Sequence, residues 1–421
     1  MADAGPDPKP APKPPPPPSR NPALKMLGLP SLPSKLPSRN WLIFWALTGS
    51  LASAIIYDRR QKKRATARWR RAVEPLSRQP ISGASQLPRK LTVYLEAPPG
   101  DGLRAAQDHF IEYVKPVLAA SGLDWEFVQG RQQGDVRAAV AARVRRERMP
   151  LEGRGDEVLE TEEGMIEAMR TRMRVPRYEG IQGDIIVGRH TWKEYIRGLH
   201  EGWLGPLDPP PLPPSNPIVE EATEANSSTE EPTKEKKPSR PLQPRPHNKP
   251  QDYNTATMPS YAPSEFPPAT ALPFPHRLGF RHTLVRVSRF LNRRKLADEI
   301  GRDVAAVCWA ATREWAEQEQ QTALAHEESD WPKSVWKVDD DDEADKERIW
   351  ASPLVVDPRL GHRMRRFEIR PEDELRASAI VVPEEDVEGW IKGSLRGLCR
   401  WAARSFEGKP RGPNVGFIDD E

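Results

Sequence analysis

Cysteine is nearly missing from this chain: Cys308 and Cys399 are the only two in 421 residues. Without CxxC or longer paired spacing they make neither a zinc site nor a disulfide framework, and spacing alone leaves open whether they pair with each other. An excess of one charge is missing as well. The 64 basic and 61 acidic residues leave a net charge of +3, so no global field selects nucleic acid. Histidine is sparse and scattered. His109 falls on a predicted helix and His190 in a glycine-ended turn, while His276, His282 and His362 fall in loops or termini. No HExxH, no Gly-x-Ser-x-Gly elbow and no paired-ligand spacing accompanies them, which excludes the common metallo- and serine-hydrolase arrangements. The expectation is a chain without catalytic residues, metal or cofactor. Low mean hydropathy and 47 prolines further exclude a fully packed chain.

Long hydrophobic runs are also absent, with one exception. Trp41–Tyr57, WLIFWALTGSLASAIIY, carries no charged residue in a protein that is 30% Asp, Glu, Lys and Arg. At ~1.5 Å per residue it reaches roughly 25 Å, enough to cross a thin hydrocarbon core with snorkelling flanks. Arg39 before it and Arg59 and Arg60 after it supply such flanks, and Trp41, Trp45 and Tyr57 sit where amphipathic rings favour the interface. The run is read as a single membrane-spanning helix. Ala46, Gly49, Ser50, Ser53 and Ala54 form a stripe of small side chains along it, opposite Phe44, Leu47, Leu51 and Ile55. Close backbone approach over small residues is how helices associate in lipid, so the stripe is a candidate contact with another membrane helix; the alternative is a weakly apolar anchor with incidental small residues.

A basic collar follows at once: Arg59, Arg60, Lys62, Lys63, Arg64, Arg68, Arg70 and Arg71. Such a collar rests on anionic headgroups, cardiolipin among them, or continues the anchor as a solvated helix. Residues 1–40 are proline-rich; KPPPPPSR favours polyproline II and reads as a disordered tail or an SH3-type ligand. Asp3, Asp7 and the prolines make a poor transit helix, and the anchor starts too far in for an ordinary secretory signal, so internal targeting is expected.

Within Asn21–Trp69, the Leu-Gly-Leu-Pro run at Leu27–Pro30, the Pro-Ser-Arg-Asn-Trp approach to the membrane and the Tyr-Asp-Arg-Arg exit carry a specific likeness. The segment resembles the opening of the fungal Tim fifty-four family, mitochondrial inner-membrane subunits of the carrier translocase. The resemblance implies a protein that helps insert multispanning metabolite carriers. Its partners would be other translocase subunits including the pore-forming one, the small intermembrane-space chaperones, carrier precursors and the inner-membrane protease facing that space. It also implies that the bulk of the chain lies in the intermembrane space. The positive-inside rule points the other way, because the dense collar follows the anchor and only Lys25, Lys35 and Arg39 precede it closely.

Residues 89–205, after the juxtamembrane collar of 58–88, read as an α/β domain. Leu91–Leu95, Trp125–Val128 and Asp184–Val187 are predicted strands; Ala105–Ala120, Val136–Met149, a stretch near Met165 and Thr191–Leu199 are predicted helices. That alternation favours a parallel sheet with right-handed crossovers. The order is similar to the nucleotide-binding lobe of diacylglycerol and sphingoid lipid kinases, which place a Gly-Gly-Asp-Gly turn after the later strand. Here the turn is Gly188-Arg189-His190-Thr191, and Glu96-Ala97-Pro98 replaces the Asn-Pro near the first strand. The expectation is a degenerate, inactive lobe of that kind or an unrelated three-layer sandwich.

Residues 206–271 read as a disordered linker and 272–421 as a C-terminal α+β region with an acidic loop at 339–347. Arg286–Ile300 predicts an amphipathic helix with Val287, Phe290, Leu291 and Leu296 inward; Val304–Ala311 fits a strand or a continued helix, and Val387–Phe406 a Trp/Leu/Arg-rich helix. The acidic run lacks EF-hand spacing and its glycine, so it reads as a solvated loop. Taken with the resemblance, the expectation is a non-enzymatic, single-pass inner-membrane scaffold of a carrier translocase. A membrane-bound lipid kinase and a proline-tailed adaptor are the alternatives.

Overall fold

The computed structural model describes residues 38–79, 87–154, 162–175, 178, 180–210, 243–337 and 347–406. The proline-rich tail up to residue 37, the linker stretch 211–242 and the acidic run 339–346 lie outside the described residues. The chain divides into two compact units, Met1–Ala54 and Ile55–Glu421.

The described part of the first unit is helical and its large apolar side chains, from Trp41 to Leu51, are exposed. It belongs to helix α1 (Arg39–Ser77), which contains one segment long and apolar enough to cross a membrane, none of it buried. Thr48 Oγ1 donates to Phe44 O at 2.8 Å and Ser50 Oγ to Leu47 O at 2.9 Å, so these two hydroxyls are satisfied without water.

The second unit is a three-layer α/β/α sandwich. In chain order it contains the later turns of α1, then β1 (Lys90–Glu96), α2 (Leu103–His109), a π-turn (Phe110–Val114), α3 (Lys115–Ser121), β2 (Asp124–Gly130), α4 (Asp135–Arg148), α5 (Glu162–Arg172), β3 (Gly183–Val187) and α6 (Arg189–Leu204). There follow β4 (Ala269–Leu272), α7 (Thr283–Phe290), α8 (Arg293–Cys308), β5 (Thr312–Glu314), β6 (Arg365–Phe367), α9 (Pro371–Ser378) and α10 (Trp390–Phe406). The sheet order is β2-β1-β3-β4-β6-β5, parallel except for the β5–β6 edge pair. Leu91 registers with Trp125 on one side and Gly183 on the other, and Asp184 with Ala269.

Side chains alternate across the central strands. Leu91, Val93, Leu95, Ile185, Val187 and Leu272 face a core built with Trp69, Val73, Phe110 and Ile300. Tyr94, Ile186 and Ala269 face a second core with Val140, Trp192, Ile196 and Phe266. All three strands predicted in 89–205 are present. The sheet nonetheless respects no boundary at 205 or 271. Strand β4 begins inside the stretch read as linker and sits in the middle of the sheet, and Tyr253 and Phe266 are buried. A four-residue parallel strand buried on both faces has no alternation to read, which is why ATAL passed as linker. The separate C-terminal region is likewise absorbed: β5 and β6 finish the same sheet, making it mixed rather than purely parallel.

The helix predicted across Arg286–Ile300 divides at Leu291–Asn292 into α7 and α8. Val287 and Phe290, expected inward, are exposed on α7. Val304–Cys308 continues α8 as helix rather than strand. Cys308 is buried, Cys399 is exposed and both are free.

The collar turns of α1 enter the first core through Trp69 and Val73, both buried. Trp69 lies so close over Gly301 of α8 that a Cβ there would collide with its indole, while Trp69 Nε1 donates to Asp298 Oδ1 at 2.7 Å. Helix propensity and packing therefore oppose each other at this position. Gly301→Ala is expected to lower stability by about 1–3 kcal/mol despite the better helix former, because overpacking outweighs the propensity gain. Gly397→Ala on α10, where a Cβ meets nothing, is expected to be neutral or stabilising. Thermal unfolding of the detergent-solubilised chain checks the pair; equal shifts would contradict the packing argument.

Candidate functional site

Two places in the molecule gather the residues singled out in the sequence. The first is the collar. Asp58 is buried and accepts from Arg294 Nη1 at 3.2 Å, and the same guanidinium lies over the Tyr57 ring at 5.4 Å. Arg60 and Arg64 both pair with Glu384, Lys62 with Glu112 and Arg68 with Asp298. Arg71 reaches Asp386 at 2.9 Å, and Lys63 Nζ donates to Glu388 O at 3.2 Å. Burial, outweighing Glu112, lowers the Lys62 pKa, and its Nζ stands 4.3 Å over the Tyr113 ring presented by the π-turn. Arg59 and Arg70 stay exposed with no ion-pair partner among the described residues. Most of the cations expected on headgroups are thus held by carboxylates of the folded unit. Each such half-exposed pair contributes at most ~1 kcal/mol, so their joint effect is to set the register of α1 on the fold. Sequence reading missed these carboxylates because they lie 50 to 324 residues away.

In the first unit the small stripe is uncovered. Ala54 is half-buried, Ala46, Gly49, Ser50 and Ser53 are exposed, and nothing lies within 4 Å of a Cβ built on Gly49. Trp41 and Trp45 stack at 6.4 Å near the start of the span.

The second place is the carboxyl end of the sheet beside β1 and β3, where doubly wound folds bind ligands. Gly188 has φ 87° and ψ 156°, a conformation open only to glycine, and it caps α6. The helix N-terminus, which in a nucleotide-binding lobe faces phosphate, is taken by the chain's own Glu327. Its Oε2 accepts from Arg189 N at 2.8 Å and its Oε1 from Phe274 N at 2.5 Å. Burial raises this carboxyl to about 7 in spite of those bonds. Arg189, which stands where a second glycine would be needed, is itself buried and donates to Glu328 Oε1 and Ala323 O, both at 2.8 Å.

Beside it, Glu96 and Glu194 are buried carboxyls. Glu194 accepts from Gly134 N at 2.6 Å and Arg137 N at 3.2 Å. Burial first, then the charge of Glu194, pushes the Glu96 carboxyl well above the usual carboxylate range. His190 Nε2 bonds Glu96 O at 3.1 Å, and burial depresses its pKa to about 4. Two carboxyls and an imidazole thus lie close together, yet each is sealed from solvent. Among the described residues no group of three or more His, Cys, Asp or Glu could hold a metal ion.

One helix fit to cross a membrane, followed by an α/β sandwich whose ligand end is filled by its own side chains, defines a class of membrane-associated α/β proteins. The profile of the family described as "Inner membrane protein import complex subunit Tim54" matches residues 21–234 and 215–367. The chain is 54% identical over 412 residues to the mitochondrial import inner membrane translocase subunit tim54 of Neurospora crassa, covering 91% of this chain and 88% of that protein. It is 42% identical over 451 residues to the subunit of that name from Aspergillus oryzae (93% and 99% covered), and 30% identical over 352 residues to that of Schizosaccharomyces pombe (78% and 93%). The chain belongs to the Tim54 family.

Glu327 generates a pH prediction. Its native pKa near 7 exceeds the ordinary 4.5, so its contribution is fully present below about 4.5 and lost as pH rises through 7. Glu327→Gln is expected to flatten the stability profile between those values by about 3 kcal/mol, at about 1.4 kcal/mol per pH unit. Denaturant midpoints measured across that range test it; an unchanged slope would rule the assignment out.

Proposed function

We propose that this chain is a non-enzymatic subunit of the mitochondrial inner-membrane translocase that inserts multispanning carrier proteins, and that it acts there as a membrane-anchored scaffold. Membership of the Tim54 family is the single observation that carries the reading. The Glu327 plug supports the non-enzymatic part: a carboxylate already occupies the helix terminus that a nucleotide phosphate would need, and Arg189 fills the space beside it. With no nucleotide chemistry of its own, the scaffold leaves the work of insertion to the membrane potential acting on charged precursor segments, ~2.3 kcal/mol per charge per 100 mV.

In this reading the second unit lies in the intermembrane space, within reach of the small chaperones, the carrier precursors and the protease that faces that compartment. The stripe of Ala46, Gly49, Ser50, Ser53 and Ala54 packs against a helix of another translocase subunit, the pore-forming one included. Trp41, Trp45, Tyr57, Arg39, Arg59 and Arg60 hold the span at the two interfaces. Anionic lipids meet the collar through Arg59 and Arg70 rather than through its paired members.

Protease protection of a C-terminal tag tests compartment and orientation together. The tag is expected to resist protease in intact mitochondria and to be cut once the outer membrane is ruptured; resistance in both would place the bulk in the matrix. For the stripe, Gly49→Leu combined with Ser50→Leu is expected to leave the protein resistant to alkaline extraction but to release it from its native complex. Unchanged migration of that complex on native gels would remove the stripe from the interface.

A further inference from the structure

Two helices of the second unit bury no described residue of their own, and both are amphipathic. On α7 and the turn before it, Phe280 and Leu284 are 91% and 84% exposed, and Val287 and Phe290 also face outward. At helical spacing Phe280, Leu284 and Val287 share one face, with Arg281, Arg286 and Arg289 around the rest. On α10, Leu395, Leu398 and Trp401 are 57%, 61% and 68% exposed, while Lys392, Arg396 and Arg400 fall on the opposite arc. Neither stretch contains an acidic residue: Gly279–Lys295 and Gly389–Phe406 have only basic charges, in a chain with 61 Asp and Glu. An exposed apolar face on a helix whose own charges are all basic, with aromatic residues on it, has the composition of a helix that lies in the plane of an anionic bilayer surface. Of those cations, Arg289 is held by Asp330, and Arg396 and Arg400 by Glu385.

Their position agrees with that occupant. The α7–α8 junction is bound at the point where the apolar run of α1 ends, through Arg294 on Asp58 and over Tyr57. The turn leading into α10 is bound just beyond it. Glu384 holds Arg60 and Arg64, and Glu388 O accepts from Lys63. From Tyr57 to Arg64 is about 10 Å along a helix, comparable to the depth of a headgroup layer. Lys392 and Arg396 are further tied to Glu388 at 3.3 and 2.6 Å, which fixes the start of α10 to the same turn.

We propose that the apolar faces of α7 and α10 lie in the interface of the bilayer that α1 crosses, so that the folded unit rests on anionic headgroups around the exit of its own anchor. This rests on the reading of α1 as a membrane span. The occupant is lipid, not a second protein, because both helices adjoin the point where the chain leaves lipid and neither carries an acidic residue of its own.

The test uses the full chain with Cys399→Ser, reconstituted into phosphatidylcholine vesicles with or without phosphatidylglycerol. Nitroxide labels are attached at Leu284→Cys and Leu398→Cys, with Leu151→Cys as an exposed control outside both helices and Leu51→Cys within the span. In anionic vesicles, labels at 284 and 398 are expected to collide with a water-soluble nickel chelate roughly three-fold or more less often than the label at 151, and the difference is expected to shrink without phosphatidylglycerol. These positions are exposed, so the substitutions leave the cores intact; circular dichroism checks it. Chelate collisions at 284 and 398 equal to those at 151, with the label at 51 still in lipid, would overturn the proposal. Chelate access at 51 would instead overturn the span on which it stands. Protection that arises only when other translocase subunits are added would assign the faces to protein and also overturn it.

Discussion

Helix α6 is buried along its entire length, from Arg189 to Leu204, although nearly half of its residues are charged or histidine. A buried charge without a partner costs several kcal/mol, so the rest of the second unit has to deliver partners to this helix. Glu201 receives Arg137 and, at 2.5 Å, Arg145; burial works against its charge, and the two guanidiniums more than offset that, leaving it below the usual carboxylate range. Arg197 reaches Glu347 at 2.7 Å and Asn248 at 2.8 Å, and Lys193 meets Trp350 O and Glu328. His200 stays neutral, donating from Nδ1 to Ile196 O and accepting from Asp357 N at 2.8 Å, with burial lowering it to about 4. Segments around 248, 327, 347 and 357 are thereby drawn onto one helix, which is why residues long past the first three strands belong to the same sandwich.

That requirement also explains the closed ligand end. In an open α/β sheet the helix N-terminus after a central strand is the natural anion site, and here the covering segments bring Glu327 to it. The same cover seals Glu96, Glu194 and His190. Gly188 makes a positive-φ turn at this helix terminus, and the space around it is filled by the fold's own side chains. A site satisfied by its own side chains stays ordered without a ligand.

The basic collar follows the same logic of internal pairing. Its carboxylate partners come from the π-turn region, from α8 and from the turn before α10, so the helix that leaves the apolar run is seated in the fold through several weak contacts and one tight indole–glycine contact at Trp69 and Gly301. Beside that seat, α7 and α10 keep apolar side chains exposed.

Much of the architecture was legible from the chain alone. The uncharged run at 41–57, the three strands of 89–205 and the missing Gly-Gly-Asp-Gly turn depend only on local composition, so periodicity and motif reading found them. The stretch Ala269–Leu272, the outward turn of Val287 and Phe290, and the buried roles of Glu96, Glu194 and Glu327 were not legible. A four-residue central strand has no period, and α7 is amphipathic whichever medium its apolar face meets. A glutamate reads as solvated until a partner more than a hundred residues away removes its water. Sequence by itself determined an uncharged helical run followed by an α/β chain of this family. Tertiary structure alone decided that segments around 248, 327, 347 and 357 close over one buried charged helix while the collar seats on the opposite core, because only long-range contacts can supply the countercharges that burial demands.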